Sequence, residues 1–241
     1  MIVLLLGSGP AVMAARDWPR APFDCIVAVN NAWAVRPDWD VMLHPDDFPA
    51  ERRPQVLSPD QRIVTADGYV PANNAFGGII YAGATMAFSA GYWALAALRP
   101  RVLAYFGCDM VYQGSRTHFY GAGTADPLRR DPTLQDLYAK AARLELLGAQ
   151  AGCAVVNLSQ GESRLSFARA LPDDLVGLSA PAVDAAAVAQ ALAAEARLAA
   201  YCPSGRYWEG AALDADALAD IDALWCAALR ASRGDAARAF G

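Results

Sequence analysis

The start of the chain leaves little choice of fold. Ile2 to Leu6 is an unbroken apolar run, and Gly7-Ser8-Gly9-Pro10 ends it. A short apolar run stopped by glycine is the pattern of a strand buried on both faces, the centre of a parallel sheet. Pro10 suits the first turn of a helix, where its missing N–H costs nothing. Strand, glycine turn and helix N-terminus together offer unpaired N–H groups and a positive dipole end to an anion. Gly7 and Gly9 are read as removing side chains that would hold a ligand off the backbone. The same four residues serve equally well as a tight strand-to-helix turn with no ligand.

Two familiar nucleotide loops do not fit. A Walker loop needs GxxxxGK[ST], and Lys140 is the only lysine in the chain. The dinucleotide fingerprint needs a third glycine or alanine, where Val12 stands, and an acid about 20 residues further on. The second apolar run, Cys25 to Val29, ends instead in Asn30-Asn31.

The 241 residues are 55% hydrophobic and 19% charged, enough for a sizeable core and against wholesale disorder. A net charge of −5 argues against broad nucleic-acid binding. Five scattered cysteines without CxxC spacing read as reduced core residues, not a metal site or a disulfide frame. With no basic region before the first strand, a cytoplasmic protein is expected. The run Ile79 to Leu98 carries no charge and is long enough to cross a bilayer. Its glycines, Thr85 and Ser89, with Pro100 close behind, favour a buried helix from Gly83 to Leu98 over a membrane span.

Further strands are expected at Val41 to Leu43, Arg62 to Thr65, Arg101 to Phe106 and Ala154 to Leu158. A short helix should follow Pro10. Residues 66–82 read as an irregular loop, and Thr133 as the cap of a helix running from Leu134 to about Ala151. Strand and helix alternate, so residues 1–180 predict an α/β domain: an open, mostly parallel, doubly wound, Rossmann-like sheet. Residues 181–241 predict an alanine-rich helical appendage, helical over Ala182 to Ala200 and Asp214 to Arg230, and a possible homo-oligomer interface.

Ligands of such sheets bind beyond the carboxyl ends of the strands. The polar residues expected there are Ser8, Asn30, Asn31, His44, Asp46, Asp47, Asp109, Asn157 and Ser159. The two histidines, His44 and His118, both follow strands. Asp38-Trp39-Asp40 matches a metal-binding DxD pattern but precedes its strand, and reads as a turn. Arg116, Arg129 and Arg130 are candidates to neutralise phosphate.

Gly7-Ser8-Gly9-Pro10, Asn30-Asn31, Gly83-Ala84-Thr85, Gly107-Cys108-Asp109-Met110-Val111-Tyr112 and Ser163-Arg164-Leu165-Ser166-Phe167 occur in that order. Over roughly residues 1–172 the chain resembles bacterial lipo-oligosaccharide sialyltransferases. More loosely it resembles motility-associated-factor glycosyltransferases and hydroxymethylpterin diphosphokinases. The resemblance implies an inverting, metal-independent glycosyltransferase that needs no cofactor and uses a nucleotide-sugar donor, CMP-type favoured, with a hydroxyl acceptor. It implies nucleotide contacts at Gly7, Ser8, Gly9, Pro10, Asn31 and Asp109, a base at His118, and help for the leaving phosphate from Tyr112 or Tyr120; Asn30, Thr85 and Ser163 are further candidates to contact the nucleotide, and Arg116 and Arg129 its phosphate. The alternatives are Mg²⁺-dependent diphosphate transfer to a small heterocycle, with Asp109 or Asp46-Asp47 on the metal, and a non-catalytic nucleotide-binding or assembly protein.

Overall fold

The structure is a computed structural model, and it describes residues 1–112, 117–122 and 130–234. In chain order the elements are β1 Ile2–Leu6, β2 Cys25–Val29, β3 Val41–Leu43, β4 Arg62–Val64, α1 Ala66–Asn74, α2 Ile79–Ala82, α3 Met86–Ala97, β5 Val102–Phe106, α4 Leu137–Gln150, β6 Ala154–Asn157, β7 Ala168–Arg169, α5 Ala185–Leu198 and α6 Ala215–Ser232. The strands form one sheet in the order β4-β3-β2-β1-β5-β6-β7. Every pair is parallel, with Val3 opposite Cys25 on one side of β1 and Ile2 opposite Val102 on the other. This is the open α/β sheet that the alternation of elements predicts, with helical segments on both faces.

The period-two geometry of a strand sorts β1 between two cores. Val3 and Leu5 pack with α1 to α6 on one face. Ile2, Leu4 and Leu6 pack on the other face against Val12, Ala15, Phe23, Trp39 and Leu175. The second face is covered by 3₁₀ turns, Pro10–Asp17, Asn30–Ala34 and Pro172–Gly177, and by irregular chain. The segment after Pro10 is thus 3₁₀, not α. Gly9 has no side chain to cap an α-turn, and Val12 N closes instead on Gly9 O at 3.0 Å.

Several expected boundaries move. Residues 66–82 are not an irregular loop but hold α1 and α2. Inside α1 the buried Asn73 amide donates to the carbonyls of Tyr69 and Ser89, tying the helix to α3. The uncharged run 79–98 is not one helix. Gly83, at φ +87, separates α2 from α3, and Thr85 caps α3 by accepting Phe88 N at 3.2 Å. No helix among the described residues is long and apolar enough to cross a membrane. Asp136, not Thr133, caps α4, while Thr133 is itself held by Asp131. The two-residue strand β7 was not among the expected strands.

The C-terminal helices share the core of the sheet: Val188, Ala191, Ile221 and Trp225 belong to the same buried cluster as Val3 and Leu5. Charges are buried in this seam. Arg143 on α4, 0% exposed, donates to both carboxylate oxygens of Glu195 on α5 at 2.7 and 2.9 Å and to Tyr92 Oη at 2.9 Å. Trp225 Nε1 on α6 donates to the same Glu195 at 2.7 Å. Lys140, 1% exposed, pairs with Asp222 at 2.7 Å.

Candidate active site

The strand order reverses between β1 and β5, and loops leaving such a switch point diverge to open a crevice. A cavity of about 370 Å³ lies there. Its floor is the seam between the two loops. Gly7 N donates to Phe106 O at 2.8 Å and Gly9 N to Gly107 O at 2.7 Å. A Cβ on Gly9 would stand 2.8 Å from Gly107 O, and one on Gly107 would stand 2.7 Å from Val12 Cβ. The glycines are therefore required by the close approach of two backbones. That contact accounts for the glycines without a ligand, and both still line the cavity. With those two N–H groups paired, Pro10 without one and Val12 N turned to Gly9 O, the N–H groups of the turn that have no backbone acceptor among the described residues are those of Ser8 and Ala11.

One wall is the N-terminus of α3: Thr85, Met86 and Ala87 line the cavity. A 12-residue α-helix presents a positive dipole end there, better developed than that of the 3₁₀ turn. The opposite wall is the loop after β5. Phe119 N bonds Ser8 O at 2.9 Å, and His118 and Gly121 form a two-residue antiparallel bridge. This places the His118 ring between Tyr112, at 5.6 Å, and Tyr120, stacked at 5.0 Å. His118 Nδ1 lies 2.9 Å from Thr117 Oγ1. Burial holds the imidazole below its ordinary 6.5, so it is neutral at pH 7. Burial, then the nearby Cys108 thiol, push the Tyr112 phenol up to about 12, so it stays a proton donor.

The rim carries Asp109 and Glu162, and none of the described lining residues is Arg or Lys. Asn157 Nδ2 donates to Asp109 at 2.9 Å and to Ser163 Oγ at 3.1 Å, and Asn157 Oδ1 accepts Ser159 N. Arg169 lies 3.9 Å from Asp109.

No family model matches the chain, and no curated protein or solved structure matches it significantly.

The cavity gathers most of the residues singled out in the sequence: Gly7, Ser8, Gly9, Pro10, Asn30, Thr85, Asp109, Tyr112, His118 and Tyr120. Asn30, in the left-handed region at φ 53, lines it, and its Oδ1 is buried without a partner. Asn31 and Ser163 do not line it. Asn31 opens the 3₁₀ turn beside β2 with Asn30, and Ser163 holds Asn157 and Leu165 N. Arg116 and Arg129 lie outside the described residues. Arg130 is described, exposed and away from the cavity lining. His44 does not face the cavity. It is 1% exposed, stacks on Phe48 and places Nδ1 2.8 Å from the Pro45 carbonyl, so Nδ1 carries the proton.

The DxD residues act as a turn. Asp38 chelates Arg36, and Asp40 accepts from Arg20 and Ile26 N. The sequence reading missed Met86, Ala87, Gly161 and Glu162 in the lining. Glu162, between Ser159 and Ser163 in a polar turn after a core strand, carried a usable signal. The backbone of Met86 and Ala87 carried none.

Proposed function

We propose that the cavity takes a nucleotide-sugar donor, CMP-type favoured, and that the protein is an inverting, metal-independent, sialyltransferase-like glycosyltransferase. The observation that carries this reading is the placement of His118 between Tyr112 and Tyr120, in one cavity with the Gly7–Pro10 turn, Asn30 and Asp109. Transfer needs the tautomer in which Nδ1–H is given to Thr117 Oγ1, so that Nε2 keeps its lone pair. An acceptor hydroxyl attacks the anomeric carbon, its proton passes to Nε2, and the bond from that carbon to the phosphate oxygen breaks on the opposite face. Tyr112 or Tyr120 donates a hydrogen bond to the departing phosphate. The N–H groups of Ser8 and Ala11, without a backbone acceptor among the described residues, and the α3 N-terminus supply positive potential that no described lining side chain supplies. The test is transfer from a CMP-sugar to a hydroxyl acceptor without added metal. His118→Ala should lower kcat by ~10²–10⁴-fold with donor affinity retained. Full turnover by that variant refutes the assignment.

The presence of two carboxylates, Asp109 and Glu162, in the lining of one cavity favours a second reading, Mg²⁺-dependent transfer of a diphosphate to a small heterocycle. Thermal-shift measurements separate the two. Metal-free stabilisation by CMP supports transfer of a sugar, and stabilisation by ATP only with Mg²⁺ supports transfer of a diphosphate. No response to either leaves a protein without nucleotide chemistry at this cavity.

A further inference from the structure

The C-terminal helices reach the cavity wall through two tethers. Tyr81, on α2 and 3% exposed, gives its hydroxyl proton to Glu195 O of α5 at 2.7 Å. The Tyr81 hydroxyl oxygen in turn accepts Ala200 N, just past the end of α5, at 2.9 Å. One phenol thus joins α2 to the C-terminal end of α5. The second tether is Lys140. Its ammonium is fixed by Asp222 of α6, and its stem lies against Gly83, where a Cβ would meet Lys140 Cγ at 3.0 Å and Phe88 Cδ2 at 3.1 Å. Gly83 is the hinge between α2 and α3, at φ +87. From there the chain is hydrogen-bonded stepwise into the cavity wall: Thr85 N to Gly83 O at 2.9 Å, then Phe88 N to Thr85 Oγ1 at 3.2 Å. Thr85, Met86 and Ala87 are wall residues.

We propose that Tyr81 is a positioning residue through which the C-terminal helices hold the α2–α3 turn, and with it the Thr85–Ala87 wall, in the geometry that receives the ligand. The affinity part of this rests on the nucleotide reading above; the mechanical part does not. Placing the wall within a few tenths of an ångström requires bracing from outside the wall. α2 has four residues, too short to hold its own direction. The helical appendage is then part of the site's framework, although none of its described residues lines the cavity.

The experiment compares Tyr81→Phe with Tyr92→Phe in the full chain. The first removes both hydrogen bonds of the tether. The second removes the hydroxyl that accepts Arg143 Nη1 in the same buried seam and leaves the tether intact. Amide hydrogen exchange at Gly83, Thr85 and Phe88 should quicken by ~10-fold in Tyr81→Phe, as for the loss of hydrogen bonds near 1.4 kcal/mol. β1 and β5 amides should stay as in the native chain, and Tyr92→Phe should show no such local change. CMP affinity should fall by a similar factor in Tyr81→Phe alone. Unchanged exchange at the three amides, or the same exchange pattern in both variants, overturns the proposal. Local exchange without CMP binding by the native chain upholds the tether and refutes the nucleotide reading instead.

Discussion

The carbonyl oxygen of Gly107 accepts the N–H of Gly9 at 2.7 Å and lies 2.8 Å from where a Cβ on Gly9 would stand. Gly9 has an ordinary φ of −61, so alanine there would by itself gain ~0.4–1 kcal/mol from a stiffer unfolded chain. The contact is with backbone that cannot swing away, and overpacking of this kind costs ~1–3 kcal/mol. Gly9→Ala should therefore lower stability by about 1 kcal/mol, the difference of the two central values. Urea denaturation reads it; an unchanged or raised midpoint would show that the seam yields. Ligand contacts at this turn are better tested at Ser8, whose side chain is not part of the seam.

Arg143→Met should cost ~3–5 kcal/mol, because it strands the Glu195 carboxylate in a dry seam with Trp225 Nε1 as its remaining side-chain donor. Adding Glu195→Leu should recover most of the loss, since an apolar pair needs no desolvation of charge. Denaturation midpoints of the single and double variants decide it. A double variant no better than the single would show that packing, not stranded charge, is at fault.

His118 gives a pH dependence with a definite sign. Burial lowers its folded-state pKa from 6.5, so between the two values the unfolded chain binds the proton first. Stability from keeping this ring neutral is complete above pH 6.5 and is lost as pH falls through the lower folded value. Transfer activity that needs the neutral ring should fall on the acid side with a midpoint below 6.5. The ring resonances, followed by NMR across the titration, check this directly. A midpoint at or above 6.5 contradicts it.

Asn157 is 1% exposed and gives Asp109 a hydrogen bond at 2.9 Å. Asn157→Ala should cost ~1–3 kcal/mol, because Asp109 and Ser159 N both lose a partner. Asn157→Asp should cost more at neutral pH, as two carboxylates then share the site and the proton affinity of one rises. A raised folded-state pKa means that the native chain binds the proton first, so the deficit should shrink as pH falls. Melting temperatures across pH 4–8 follow this, roughly spanning the carboxylate range. A deficit that does not vary with pH would mean that the two carboxyls do not meet.

The strands of the sheet were legible because buried parallel strands are written as short apolar runs, and Ile2–Leu6, Cys25–Val29 and Val102–Phe106 are almost pure examples. The site was legible to the extent that strand ends mark it: Asn30, Asp109 and Tyr112 follow core strands. Other parts were hidden by long-range contacts. Gly7 and Gly9 read as a ligand cradle, because the backbone that also excludes a Cβ there, Gly107, is about a hundred residues away. α1 looked like a loop because Gly68, Pro71 and two asparagines disfavour a helix, yet Asn73 spends its amide on bonds to Tyr69 and Ser89 that only the packed chain supplies. Thr133 and Asp136 are both good caps by type, and only the observed bonds distinguish them.

Lys140 is the one lysine of the sequence, and it lies inside the α4–α6 seam with its nitrogen held by Asp222. The protein therefore shows solvent no ammonium side chain: beside the backbone amine of Met1, its lysine-or-arginine charges at the surface are guanidinium groups. An amine-acylating reagent finds no side-chain target while α6 is seated. Acylation at Lys140 becomes a chemical clock for the lifting of that helix, recorded at one site by peptide mass.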